Sequence, residues 1–270
     1  DYNNRHVDVQ MPQYVSNTLE KLQHKPPKKP QHAPHKWVLR QYGKHSQLVA
    51  PEDDTPPLSP EGTTKIQQTV GGTLYYGRAV DNTILTAVNE IASTQSKPTL
   101  RTQIQVNMLL DYLYTHPNAK VRFHASEMKL FVESDAAYLV APKAKSRVAG
   151  YFYLGQIVTP AASCSKINAP VHIECKLLRH VVSSAAEAET AGIYHNCCTA
   201  VSLRHIIEAL GHLQPPIQVK TDNSTAVAFS TNNLKEKRSK SWDMRLHWLR
   251  DRSQQQQFRI TWEKGALNKA

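Results

Sequence analysis

Residues 129–138, KLFVESDAAY, predict a β-strand that delivers a carboxylate. Residues that favour strands run up to a lone aspartate, Asp135, and small residues follow it. Because side chains alternate along a strand, Asp135 shares a face with Phe131 and Glu133. A carboxylate at the end of a strand is well placed to hold a metal ion.

Two later stretches carry further acidic side chains. Residues 183–192, SSAAEAETAG, predict the start of a long helix with Glu187 and Glu189 near its beginning. Residues 217–226, IQVKTDNSTA, predict a strand that ends near Asp222 and turns into a helix. The acidic groups therefore follow the order Asp, Glu, Asp along the chain.

These stretches resemble the ribonuclease H that follows the reverse transcriptase in Ty1/copia-type retrotransposon polyproteins. The resemblance covers the whole chain, and its most specific motifs are SSAAEAE at 183–189, TDNSTA at 221–226, KSWDMRLHWLRDR at 240–252 and the closing W, G and NKA at 262–270. It implies an RNA–DNA hybrid as substrate. It also implies two bound Mg²⁺ ions, for which Mn²⁺ can substitute.

The resemblance assigns the catalytic and metal-binding roles to Asp135, Glu189 and Asp222. Phosphodiester cleavage with two divalent ions about 4 Å apart needs several carboxylates on one surface. Glu187 stays a rival to Glu189, because Thr190 departs from the aromatic or aliphatic residue that follows the family's glutamate. Integrases and transposases of similar fold use the order Asp, Asp, Glu, so the order here favours hydrolysis of RNA. A non-catalytic module that grips nucleic acid or scaffolds the polymerase is the alternative.

The chain is basic, with 33 Lys and Arg against 22 Asp and Glu and a formal net charge of +11. Such a surplus suits a polyanionic partner. We predict phosphate contacts from Lys237, Arg238 and Lys240, although a solvated helix face explains the same run. Ser184 and Asn223 are predicted polar contacts to the substrate backbone. Exposed tryptophans among Trp242, Trp248 and Trp262 could stack on a sugar or base, and core packing is the prediction for Trp248 and Trp262.

The cysteines and apolar segments exclude other classes of protein. Four cysteines without a C-x-x-C pair predict reduced thiols and no zinc site. No apolar run approaches the ~20 residues of a membrane span, so we expect no membrane partner and an intracellular protein. The resemblance places it in a cytoplasmic virus-like particle or in the nucleus, with the rest of the reverse transcriptase polyprotein as partner.

The chain is predicted to hold two domains, at residues 1–125 and 126–270. The first has a proline-rich, extended connector at 24–60 and helices over 65–115, and LYYGRAVDNT at 74–83 resembles the C-terminal part of a reverse transcriptase. The paired aspartates of a polymerase hairpin have no counterpart there. Asp53 and Asp54 lie in the connector without flanking apolar strands, so we expect no polymerase activity.

The second domain is predicted to be an α/β, ribonuclease-H-like fold, a mixed five-stranded sheet flanked by helices, preceded by the mainly helical reverse-transcriptase tail. We predict strands at 128–138, 147–155, 171–177, 217–221 and 258–263, and helices at 184–210, 224–230 and 241–254. The closing residues 262–270 resemble the family's last strand and turn, after which a fourth metal-binding aspartate follows. We therefore expect a domain truncated at its C-terminus with impaired cleavage.

Overall fold

The computed structural model describes residues 1–36, 53–141, 144–157, 168–230 and 243–270. These residues form two compact units, Asp1–Phe123 and His124–Ala270. In the described parts of the chain, no helix is both long and apolar enough to cross a bilayer. Cys175, Cys197 and Cys198 are free thiols.

The first unit is mainly helical, as the sequence predicts. Its helices are α1 Tyr14–Lys21, α2 Pro60–Ala79, α3 Leu85–Thr94 and α4 Leu100–Thr115, with a 3-10 turn at Asn82–Ile84. Strands β1 His6–Gln10 and β2 Lys120–His124 pair in a two-stranded sheet. The four helices bury a common apolar core, which includes Val15, Leu19, Ile66, Val70, Val88, Ile91, Val106 and Leu109.

Helix α2 begins five residues earlier than the pattern of apolar residues predicts. Ser59 caps the helix, because its side chain accepts a hydrogen bond from the Gly62 N–H, and Pro60 occupies the first turn. Both residues favour a helix start, although neither belongs to the periodic pattern of apolar residues. Part of the predicted connector, residues 37–52, lies outside the described residues.

Asp53 belongs to a turn rather than to a polymerase hairpin. Its carboxylate accepts hydrogen bonds from the backbone N–H of Thr55 at 3.1 Å and from the side chains of Thr55 and Thr99 at 2.6 and 2.5 Å. These bonds join the turn to the start of α4. The assignment of this unit to a reverse transcriptase stays a prediction.

The second unit contains the predicted mixed five-stranded sheet flanked by helices, which is confirmed. Its strands are β3 Lys129–Ala141, β4 Lys145–Gly155, β5 Pro170–Leu177, β6 Ile217–Thr221 and β7 Phe258–Trp262. They lie in the order β5-β4-β3-β6-β7. The pairs β3–β4 and β4–β5 are antiparallel, and the pairs β3–β6 and β6–β7 are parallel. The helices are α5 Ala185–Ala209, α6 Ser224–Ser230 and α7 Asp243–Gln254.

Helix α5 packs along the sheet and builds most of the core of this unit. Alternate residues of the central strands face it, and the shared core includes Leu130, Val132, Phe152, Ile193, Cys197, Ala200, Val219, Leu249 and Ile260. A Cβ at Gly192 would lie 3.5 Å from the backbone oxygen of Asp135, so the helix lies close to β3 there. The helix ends before Gly211, whose φ of 93° favours glycine.

The two central strands separate at the end that carries the acidic residues. Parallel pairing of β3 with β6 covers only three positions and ends at Glu133 opposite Lys220. Strand β6 ends at Thr221, whereas β3 runs on to Ala141 as the partner of β4. Asp135 and Asp222 therefore both follow the last paired position of β3 and β6.

Candidate metal centre

Three carboxylates converge where β3 and β6 stop pairing. Asp135 comes from β3, Glu189 from the second turn of α5, and Asp222 from the first position after β6. One oxygen of each lies within 4.8 Å of the others, and Asp222 is exposed whereas Glu189 is buried. The structure thus brings together all three residues that the sequence proposes as metal ligands.

Asp135 and Glu189 share one backbone donor. The N–H of Ala136 donates to Asp135 Oδ1 at 2.8 Å and to Glu189 Oε1 at 3.3 Å. The other oxygen of Glu189, Oε2, is buried and accepts no hydrogen bond from the described residues. A buried carboxylate oxygen without a partner is unfavourable unless a proton or a cation is added.

Burial and like charge raise the pKa of two of these carboxyl groups. Burial, together with the negative charges of Asp135 and Asp222, raises the pKa of Glu189 from its ordinary value of 4.5 to about 9. Burial, with help from Asp222, also raises the pKa of Asp135. Without a cation, Glu189 therefore holds a proton at neutral pH.

The donor set fits a divalent cation. Carboxylate oxygens are the ligands that Mg²⁺ and Mn²⁺ accept in proteins, and three of them carry the negative charge that a hard cation needs. The raised pKa of Glu189 is the behaviour of a ligand that exchanges a proton for a metal ion. Asp135, Glu189 and Asp222 would hold such an ion.

Glu187, the rival of Glu189, points elsewhere. Its Oε2 accepts hydrogen bonds from the backbone N–H and the hydroxyl of Ser183, both at 2.7 Å. The backbone N–H of Glu187 in turn donates to Ser184 Oγ at 3.2 Å. These bonds hold the Glu187 side chain at the start of α5, so only Glu189 belongs to the carboxylate cluster.

The other predicted contact residues have local structural roles or lie outside the described residues. Ser184 caps α5, and Asn223 Oδ1 accepts from the Ala226 N–H at 2.9 Å at the start of α6. Their predicted contacts to a substrate stay predictions. The predicted phosphate-binding residues lie outside the described residues, and these are Lys237, Arg238 and Lys240.

Trp262 is not a core residue, so the prediction for it was wrong. Its side chain is 56% exposed, because it stands at the end of the edge strand β7. The indole N–H donates to the backbone oxygen of Asp222 at 2.8 Å. Trp248, by contrast, packs against the core that α5 and the sheet share.

Sequence reasoning missed two asparagines and a glycine beside the cluster. Asn196 is buried in α5, and its amide donates to Ser134 Oγ at 2.9 Å and to the oxygen of Ala149 at 2.8 Å. Asn268 donates to the oxygen of Ser134 at 3.0 Å. A Cβ at Gly265 would lie 2.7 Å from Asp222 Oδ2. The sequence signal for Asn196 is a polar residue among the inward-facing positions of α5. Gly265 and Asn268 both lie in the closing motif at 262–270, which indicated no role for either of them.

No protein-family model matches the sequence, and no curated protein matches it either. Solved structures with likeness to the chain include the N-terminal RNase H domain of the Mycobacterium tuberculosis protein rv2228c, at 16% identity over 52% of this chain and 86% of that one, with a TM-score of 0.34. LC11-RNase H1 in complex with an RNA/DNA hybrid is 9% identical over 52% of this chain and 88% of that one, with a TM-score of 0.36. The foamy viral protease-reverse transcriptase in complex with dsDNA is 14% identical over 80% of this chain and 40% of that one, with a TM-score of 0.40. All three scores are below 0.5, and the strand order and register above define the fold.

Proposed function

We propose that the second unit is a metal-dependent nuclease that cleaves the RNA strand of RNA–DNA hybrids, as the ribonuclease H of a copia-type polyprotein. The observation that carries this proposal is the convergence of Asp135, Glu189 and Asp222 within 4.8 Å, in the chain order Asp, Glu, Asp. The mixed sheet order β5-β4-β3-β6-β7 supports it, because it delivers two of these carboxylates to neighbouring strand ends.

The side chains of the cluster have distinct parts to play. When bound, two Mg²⁺ ions would activate a water molecule and neutralise charge on the leaving 3′ oxygen. Asp135 is oriented by the Ala136 N–H, so its carboxylate presents a fixed direction to the site. Glu189 supplies negative charge from the buried side, and Asp222 supplies it from the exposed side where a substrate arrives.

Selection of the substrate would depend on groups around this cluster. A ribonuclease of this kind recognises the 2′-hydroxyls across the shallow groove of the RNA strand. The net charge of +11 favours association with a polyanion, and residues 237–240 add three cationic side chains. The remainder of a reverse transcriptase polyprotein would be the natural protein partner, in a virus-like particle or the nucleus.

The test is cleavage of an end-labelled RNA–DNA hybrid in Mg²⁺, with EDTA, double-stranded DNA and double-stranded RNA as controls. We expect cuts in the RNA strand of the hybrid only, and none in EDTA. Tight hybrid binding without cleavage in either Mg²⁺ or Mn²⁺ would instead favour a non-catalytic, nucleic-acid-binding or scaffolding module.

A further inference from the structure

Asn268 contacts the backbone directly before Asp135. Its Nδ2 donates to the oxygen of Ser134 at 3.0 Å, while its Oδ1 accepts from the Ala270 N–H at 3.0 Å. Both ends of the amide are used, so the orientation of the side chain is fixed. The next residue, Lys269, donates its backbone N–H to Glu133 Oε2 at 2.6 Å.

The contact replaces a hydrogen bond that the sheet no longer provides. Pairing of β3 with β6 ends at Glu133, so the oxygen of Ser134 lies one residue beyond the last paired position. Strand oxygens away from bulk water need a partner, and the amide of Asn268 supplies one in the gap between the two strands. The peptide group that is held here joins Ser134 to Asp135.

Ser134 is also held by helix α5. Asn196, on α5, donates to its hydroxyl at 2.9 Å, and Ser134 is fully buried. Two amides, one from α5 and one from the segment after β7, therefore fix the backbone and the side chain of this residue. The direction of the Asp135 carboxylate depends on that backbone, because Asp135 follows immediately.

The segment that carries Asn268 touches the other strand end as well. Gly265 lies so close to Asp222 that a Cβ would approach Oδ2 to 2.7 Å. The Trp262 indole N–H donates to the Asp222 backbone oxygen at 2.8 Å. Residues 262–269 thus contact β3, which carries Asp135, and also contact Asp222 at the end of β6.

We infer that Asn268 is a positioning residue for the metal site, which sets the direction of the Asp135 carboxylate relative to Asp222. The inference rests on the metal-dependent function proposed above. Groups that orient metal ligands typically change metal affinity by about 10- to 100-fold when they are removed. We expect the low end of that range, because Asn268 acts through the backbone and is half-buried.

The experiment compares Asn268→Leu with Gln214→Leu in the full chain. Both changes replace a polar amide with an apolar side chain of similar size, and both remove a hydrogen bond to the backbone of β3. Gln214 Oε1 accepts from the Leu130 N–H at 2.9 Å, at the opposite end of the strand from Asp135. Mg²⁺ binding is measured by calorimetry without nucleic acid, and the thermal midpoint is measured in EDTA.

We expect Asn268→Leu to raise the Mg²⁺ dissociation constant about tenfold, and Gln214→Leu to lower the thermal midpoint without changing Mg²⁺ binding. A dissociation constant for Asn268→Leu within about twofold of the parent, or equal weakening in both variants, would overturn the inference. If the leucine variant does not fold, Asn268→Ser is judged by the same criteria.

Failure of the proposed function gives a different result. A parent chain that binds Mg²⁺ but does not cleave hybrid contradicts the function, while the comparison of dissociation constants still decides the role of Asn268. A parent chain that does not bind Mg²⁺ at all overturns the inference.

Discussion

Glu187 Oε2 accepts a hydrogen bond from the backbone N–H of Ser183 at 2.7 Å, which commits this carboxylate to the start of α5. We therefore expect Glu189→Gln to abolish Mg²⁺-dependent cleavage, because it removes charge from the buried side of the cluster. Glu187→Gln keeps an acceptor for Ser183 but removes its charge, which weakens the hydrogen bond. It should therefore lower the free energy of unfolding by only about 1 kcal/mol and leave cleavage intact. Cleavage rates and urea titrations of the two variants test this prediction. Loss of cleavage in Glu187→Gln but not in Glu189→Gln would show that Glu187 is the metal ligand.

Asp222 provides a second test of the site. Asp222→Asn keeps the shape of the side chain but removes a negative charge from the exposed side of the cluster. Hydrolysis should be lost while hybrid binding stays within about threefold of the parent, because binding depends mainly on phosphate contacts. Asp251→Asn, at an exposed position on α7, is the control with the same charge change. Cleavage by Asp222→Asn at the parent rate would remove Asp222 from the site.

The pKa of Glu189 predicts how the stability of the metal-free protein depends on pH. Burial and the neighbouring negative charges raise this pKa from 4.5 to about 9, so between these values the folded chain binds a proton that the unfolded chain has lost. The stabilisation from this group is complete below pH 4.5 and is lost as the pH rises through about 9. Denaturant titrations in EDTA from pH 5 to 9 should show falling stability. The Glu189→Gln curve should be flatter, and two parallel curves would contradict the shift.

Metal binding should release protons for the same reason. At pH 7 the Glu189 carboxyl is protonated in the metal-free protein, and a divalent ion needs it ionised. We expect the calorimetric enthalpy of Mg²⁺ binding to depend on the ionisation enthalpy of the buffer, with about one proton released per chain. Equal enthalpies in phosphate and Tris would show that no proton leaves.

The elements of the second unit follow from local sequence patterns, whereas the contacts between them do not. Runs of strand-favouring residues mark β3 and β6, and apolar spacing marks α5, so the order of Asp135, Glu189 and Asp222 on these elements is predictable. The choice between Glu187 and Glu189 is different. Residues two apart point about 160° apart around a helix, so only the packing of α5 on the sheet decides which one reaches Asp135.

The supporting residues of the site depend on tertiary contacts that no local pattern reveals. Asn268 lies after the last strand, and its role depends on the point where β3 and β6 stop pairing. The sequence predicts core packing for Trp262, but β7 is an edge strand and leaves this residue exposed. The separation of two strands and the edge of a sheet are both properties of the assembled fold.

Gly150 tests how tightly β4 and α5 pack beside the site. A Cβ at this position would lie 2.3 Å from Asn196 Oδ1 and 2.9 Å from a ring carbon of Phe152. Gly150→Ala should therefore lower the free energy of unfolding by about 1–3 kcal/mol, as overpacked cores do. Gly71→Ala is the control, because nothing lies within 4 Å of its Cβ and alanine favours α2 by about 0.5–1 kcal/mol. Equal midpoints for the two variants in thermal melts would contradict the close packing.

The basic segment at residues 237–240 is predicted to supply phosphate contacts, although it lies outside the described residues. Replacing its three cationic side chains with alanine should weaken hybrid binding. It should also reduce the slope of log binding constant against log salt concentration by about 0.9 for each lost phosphate contact, if the value for duplex DNA applies. The preference for one hybrid sequence over another should stay unchanged, because phosphates carry no sequence information. The control removes three exposed lysines of the first unit, which changes the net charge equally, and these are Lys25, Lys28 and Lys29. Hybrid binding measured from low to high salt concentration gives the slope for each triple variant. Equal slopes would show that the net charge of the chain, and not this segment, determines the binding of nucleic acid.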